Sequence, residues 1–322
     1  MKITEREYRL RLESTILFEA DKAQIKPHPL WHILLFPLVY IGSMFVGVMV
    51  AALATGLLLG GEGVISSLAD AEYNVLLSLF STLFPIGGAI AYVRFVERRS
   101  MASMGFVRRG WLRHYGKGFG AGIAMCAVAL LIVLAMGGMK YSAATTAPRM
   151  GMWLLTLLGF MVQGMSEEVM LRGYLTVSLA NRVPVWLAVA LSSVLFAFLH
   201  GSNAGLTPLS LVNLVLFGIF AALLMLRYDN IWGIGALHSA WNFCQGNIFG
   251  VAVSGNDAGV TLLNFNTLEG VPAWIGGGGF GLEASVATTI VFGTLIVWLL
   301  RKENLKQSEI SPRNAETLET KQ

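Results

Sequence analysis

Between Met152 and Val177 the chain is apolar and long enough to cross a membrane. Inside that run, Ser166-Glu167-Glu168-Val169-Met170-Leu171-Arg172 sets two adjacent carboxylates and a guanidinium. Each charge at the bilayer centre costs at least about 2.5 kcal/mol even on the cheaper insertion scale. Such groups need partners, and a chain that keeps them there usually uses them. On a helix, Glu168 and Arg172 are four apart with the acid N-terminal, the better order for an ion pair. Glu167 is turned away by about 100° and cannot share that arginine well. The natural division of labour has Glu168 ionised and bracing the site, held by Arg172. Glu167, desolvated beside a like charge, becomes the stronger proton acceptor that a general base must be.

Three further polar groups lie deep in apolar stretches. His200 ends one of them, four residues after Phe196, and His238 and Asn242 stand at i and i+4 in another. Sharing a helix face, His238 and Asn242 can jointly present donors to a developing oxyanion. Each residue also has a structural reading. Glu168 with Arg172 can be a buried ion pair and nothing more. A lone intramembrane His or Asn can be a hydrogen bond between helices, and Phe196 reads as packing or a wall of the site. The coincidence argues for chemistry: nearly all the strongly polar groups deep within apolar runs fall in three of them.

The elements that must position these residues follow from composition. The chain has 322 residues, 55% of them hydrophobic and 13% charged, with mean hydropathy +0.65. Soluble domains carry about 25% charged residues, so this is an integral membrane protein. The net charge of +4 lies in connections and tails, which is the positive-inside signature and not a nucleic-acid patch. Cys126 and Cys244 fall in apolar segments, so neither a disulfide nor a thiol metal cluster is expected. The first thirty residues are charged and lack an apolar core, so no cleavable signal peptide is expected.

Eight spans account for the pattern: 31–59, 75–93, 118–136, 152–179, 185–199, 209–226, 231–248 and 284–300. Gly60-Gly61 ends the first, and Pro85 kinks the second. Arg94, Arg98, Arg99, Arg108, Arg109, Arg113 and Lys117 crowd one connection, the strongest cytoplasmic signal in the chain. The expected fold class is an all-α membrane protein, an eight-helix bundle with both termini cytoplasmic. Residues 1–30 form a cytoplasmic segment with an interfacial helix around Tyr8 to Phe18, 31–300 the membrane domain, and 301–322 a disordered tail. The outer connection from Gly250 to Gly281 is too long to be only a connector.

Antiparallel geometry relates the sites. Glu168 lies about 22 Å before the turn at Val183 and His200 about 26 Å after it, so the two are nearly level. His238 is only about 12 Å past Asn230. If the groups meet, the hairpin at Val183 must project further than the turn at Asn230, and this depth favours a site in the cytoplasmic half.

Glu167-Glu168-x-x-x-Arg172, Phe196-x-x-x-His200 and His238-x-x-x-Asn242, in that order, resemble the CPBP family of intramembrane proteases. That family includes the type 2 CAAX prenyl endopeptidase and bacterial abortive-infection or bacteriocin-processing homologues. The resemblance covers about residues 75 to 250. It implies peptide-bond hydrolysis within the membrane, in a prokaryotic plasma membrane. Glu167 and His200 would activate water, His238 and Asn242 would hold the oxyanion, and Glu168 and Arg172 would support them. Partners would be a membrane-associated peptide or protein, with a lipidated chain among the candidates, and membrane lipids. No cofactor is expected, although one Glu and two His could still bind zinc. Two other classes compete: a non-catalytic membrane scaffold or immunity protein, and a proton-coupled transporter. Against transport, there is no internal repeat and no pair of broken helices in corresponding halves.

Overall fold

The computed structural model describes residues 14–143 and 149–301, the side chains of 58–59 and 61–69 excepted. The tail expected to be disordered after Arg301, and the start of the N-terminal segment, lie outside these residues. In chain order the helices are α1 (Thr15–Asp21), α2 (Pro29–Ala69), α3 (Ala71–Ser81), α4 (Leu83–Ala91), α5 (Trp111–Ala135), α6 (Met150–Glu168) and α7 (Val177–Ala180). They continue as α8 (Val185–Leu199), α9 (Pro208–Tyr228), α10 (Trp232–Phe243), α11 (Ala273–Gly276) and α12 (Val286–Arg301).

Among the described residues, five helical stretches are long and apolar enough to cross a membrane: Pro29–Leu57, Ala71–Glu97, Trp111–Ala135, Met150–Ala180 and Pro208–Tyr228. Val185–Leu199 and Val286–Arg301 are shorter apolar helices. The protein is thus an α-helical membrane protein. Besides the helices, two short strands in the connections, β1 (Met139–Ser142) and β2 (Asn264–Thr267), pair antiparallel, Met139 opposite Thr267.

Local chemistry explains the breaks. At Gly60 the backbone takes φ 76°, a conformation that glycine adopts without steric cost, and this interrupts α2 at the expected place. The chain then resumes as helix to Ala69, where a loop was expected. α3 and α4 are separated at Thr82, and the carbonyl that the Pro85 ring would meet four residues back belongs to Ser81. The helix expected around Tyr8 to Phe18 falls partly on residues 8–13, outside those described. Its described part is α1, which buries Ile16, Leu17 and Ala20 against the protein. Asp229 accepts hydrogen bonds from Ser14 Oγ (2.8 Å) and the Thr15 backbone N–H (3.0 Å), tying α1 to the turn after α9.

α10 is the centre of the bundle. It packs between α5 and α6, and every residue from Ile234 to Phe243 is buried. Such a fit needs small residues, as in other membrane helix pairs. A Cβ on Gly118 or Gly122 of α5 would lie 1.9 and 2.3 Å from the carbonyls of Gly233 and Leu237. On the other side, Gly164 of α6 meets the backbone of Ser239 in the same way.

After Glu168 the fourth span widens into a π-helix, Val169–Thr176, before resuming as α7. π segments inside α-helices are frequent at functional sites. This one is held by two side chains. Thr176 Oγ1 donates to Leu171 O (2.8 Å), five residues back. Arg99 donates to Gly173 O (3.0 Å), Tyr174 O (3.3 Å) and Ser178 Oγ (3.0 Å) while Glu97 pairs with its Nε. A basic residue of the 94–117 connection therefore fixes the segment that carries Arg172.

Candidate active site

The levels of the two turns decide whether the motif residues can meet. A Cβ on Gly173 would touch Ile231 Cδ1 at 3.0 Å, so the turn at Asn230 sits beside the π segment and not beside Val183. The hairpin at Val183 projects further, as the counting required, and packs there against α1. Glu168 and His238 come level as a result.

Arg172 Nη1 donates to Glu168 Oε1 (3.1 Å), both residues buried. His238 Nδ1 lies 2.8 Å from the same Oε1, and its Nε2 is 3.7 Å from Glu167 Oε2. The imidazole thus stands between both carboxylates. Because a carboxylate only accepts, the Glu168 contact places a proton on Nδ1 and leaves Nε2 to face Glu167.

Glu167 is held from its other side by Gln163, a residue that sequence reasoning missed. Gln163 Nε2 donates to Glu167 Oε1 (2.6 Å), and Gln163 Oε1 accepts from Asn242 Nδ2 (3.0 Å). One chain of polar contacts therefore runs Asn242, Gln163, Glu167, His238, Glu168, Arg172. The spacing signal was available, since Gln163 is four residues before Glu167 on the same helix face.

His200 stands at the end of α8, its Nδ1 2.9 Å from Phe196 O, which leaves Nε2 as the remaining polar atom of the ring. It is not in hydrogen-bond contact with Glu167 but lines the same cavity. Phe196 is more than packing. Its ring lies 4.9 Å from Arg172 Cζ and packs edge-on against His200 at 4.8 Å between centroids. Phe217 of α9, also missed, lies 5.5 Å from Arg172 Cζ and 4.7 Å from the His238 ring. The two aromatic faces give the buried guanidinium a cation–π setting that complements the Glu168 contact.

The cavity measures about 510 Å³ and is lined by Glu167, His200, His238, Asn242 and Gln163, with Tyr40 of α2 and Asp257 beyond α10 among its walls. That is the size of a small-molecule or short-peptide site. It reaches Glu167 from the end carrying Asn203 and residues 253–258, opposite the basic connections. The long segment after Gly250 supplies Val253, Ser254, Asn256, Asp257 and Ala258 to the cavity wall at that end.

Among the described residues no group of three His, Cys, Asp or Glu side chains is arranged to hold an ion. Both nitrogens of His238 face carboxylates, and His200 Nδ1 is engaged by a backbone carbonyl. Cys126 and Cys244 are buried and free.

Residues 148–244 match the family model described as Type II CAAX prenyl endopeptidase Rce1-like, a segment that takes in every motif residue above. No curated protein and no solved structure matches the chain.

Proposed function

From the match of residues 148–244 to the Rce1-like family model, we propose that the chain is an intramembrane endopeptidase of the CPBP, CAAX-protease-like kind in which Glu167 activates water. The observation that carries the proposal is the placement of Glu167 Oε2 and His238 Nε2, 3.7 Å apart on the wall of one cavity. Both groups are braced from behind, Glu167 by Gln163 and His238 by Glu168.

Glu167 takes a proton from a water that His200 Nε2 helps to orient. The water oxygen bonds to the scissile carbonyl carbon, and the carbonyl electron pair moves onto its oxygen. His238 Nε2–H and the second Asn242 Nδ2 hydrogen donate to that oxyanion, worth roughly 3–4 kcal/mol per donor in comparable sites. Glu167 then returns its proton to the amide nitrogen as the C–N bond breaks, giving a carboxylic acid and an amine, and the acid passes its proton to the amine to leave a carboxylate and an ammonium. Arg172 and a protonated His238 balance Glu167 and Glu168, so the site is neutral when the oxyanion donor is charged.

The substrate is a membrane-associated polypeptide; a lipidated chain is one class that a membrane-embedded cavity with apolar walls accommodates. Membrane lipids surround the bundle, and exposed Leu34, Leu38, Phe45 and Leu53 on α2 offer them an apolar face. The host is a prokaryotic plasma membrane with both termini in the cytoplasm. Cleavage of membrane-associated peptides by purified protein, absent in Glu167→Gln, tests the proposal. Peptide cleavage retained in Glu167→Gln would reject it, as would a wild-type protein that cuts none of them.

A further inference from the structure

The two ends of the bundle carry opposite charge. One end bears the basic residues of 94–117 together with Arg182, Arg227 and Arg301. Contacts bind these connections into one face: Arg99 reaches Gly173 and Ser178, Arg182 reaches Lys26 O, and Ile231 N donates to Gly105 O (2.9 Å). The other end has Lys140 and Arg149 against Asp70, Glu72, Asp257 and Glu269. Arg149 is there paired with Glu72.

The cavity belongs to the acidic end. Its rim is formed by Asn74 and Ser78 of α3, Asn203 after α8, and Asn256 and Asp257 of the long segment after α10. Asn74, Ser78, Asn256 and Asp257 are exposed. None of the residues lining it comes from 94–117, 181–184 or 227–231.

The rim is a built mouth. Asn203 Nδ2 donates to Ser254 O (2.8 Å), and Asn247 Nδ2 donates to Ala258 O (3.0 Å) and Val260 O (2.6 Å). The β1–β2 pairing anchors the same segment to the connection after α5. Cationic residues in short connections stay on the cytoplasmic side.

We infer that the cavity opens to the extracytoplasmic side, and that its substrate is a membrane-anchored polypeptide presenting the scissile segment there. The word substrate rests on the endopeptidase reading above; the orientation does not. A rim of neutral amides with one exposed carboxylate, Asp257, accepts a neutral or basic segment better than an acidic one. A chain terminus lipidated and held at the cytoplasmic leaflet approaches from the wrong face.

The test uses the full chain in a bacterial inner membrane, with Asn256→Cys, Ser78→Cys or Arg108→Cys introduced singly and the two native cysteines left buried. A membrane-impermeant maleimide added to intact spheroplasts should label Asn256→Cys and Ser78→Cys, and should label Arg108→Cys only after permeabilisation. The reverse pattern, or labelling of all three from one side, would overturn the inference. A second arm tethers one peptide library to either side of the membrane. Cleavage confined to the outer tether is expected, and cleavage confined to the cytoplasmic tether, or equal on both, would overturn the substrate class. Because labelling needs no catalysis, an inactive protein with the expected labelling would reject the endopeptidase reading alone.

Discussion

His238 lies between two glutamates, its Nδ1 2.8 Å from Glu168 and its Nε2 3.7 Å from Glu167. Adjacent residues on one helix thus face a single imidazole in different ways. Glu168 also holds Arg172, both side chains are buried, and replacing it leaves a guanidinium without its counter-ion. We expect Glu168→Gln to lower stability by about 3–5 kcal/mol and to lower activity as well. Unfolding in detergent measures the first. An unchanged melting temperature would show that the pair is not the brace described here.

Gln163 links Glu167 to Asn242. Hydrogen bonds to charged groups contribute about 1.5–3 kcal/mol, so Gln163→Leu should lower kcat roughly 10- to 100-fold with little change in KM. A role confined to packing would show as a lower melting temperature with kcat intact.

Glu283 gives a pH dependence outside the membrane-spanning helices. Burial, only partly offset by hydrogen bonds from Gln245 and Ser254, pushes its carboxyl up from an ordinary 4.5 to about 7. The folded protein therefore keeps a proton that the unfolded chain has released between those values. Stability should be flat below about 4.5 and fall as pH rises to about 7, by at most about 3 kcal/mol. Glu283→Gln should flatten that stretch of the melting-temperature profile. A wild-type profile rising over the same range would contradict the assignment.

The proposed mechanism has Glu167, His200 and His238 act directly on water and the carbonyl oxygen, so we expect cleavage to survive exhaustive chelation and elemental analysis to find less than one zinc per chain. Activity lost to a chelator and restored by zinc would replace the glutamate mechanism while keeping the protease assignment.

Much of the site was legible because helix periodicity is local. The pairing of Glu168 with Arg172 and the shared face of His238 and Asn242 need only four-residue spacing. Gln163 had the same spacing signal but carries no formal charge, so it did not stand out. Phe217 gave no signal, being one aromatic in an apolar run. What the sequence hid depends on distant contacts. The π segment after Glu168 is held by Arg99, seventy-odd residues earlier in the chain, and the mouth is shaped by the segment after Gly250 through its pairing with β1. Those contacts also put the opening at the end opposite the basic connections, where residue counting could not.

The central claim is that Glu167 activates water for peptide-bond hydrolysis. The most direct measurement incubates purified wild type and Glu167→Gln with membrane-associated peptides in heavy-oxygen water and reads the products by mass spectrometry. The account predicts wild-type products whose new carboxyl carries solvent oxygen, and a folded Glu167→Gln slower by roughly 10²–10⁴-fold. Cleavage by Glu167→Gln at the wild-type rate, or no cleavage by the wild type, would contradict it.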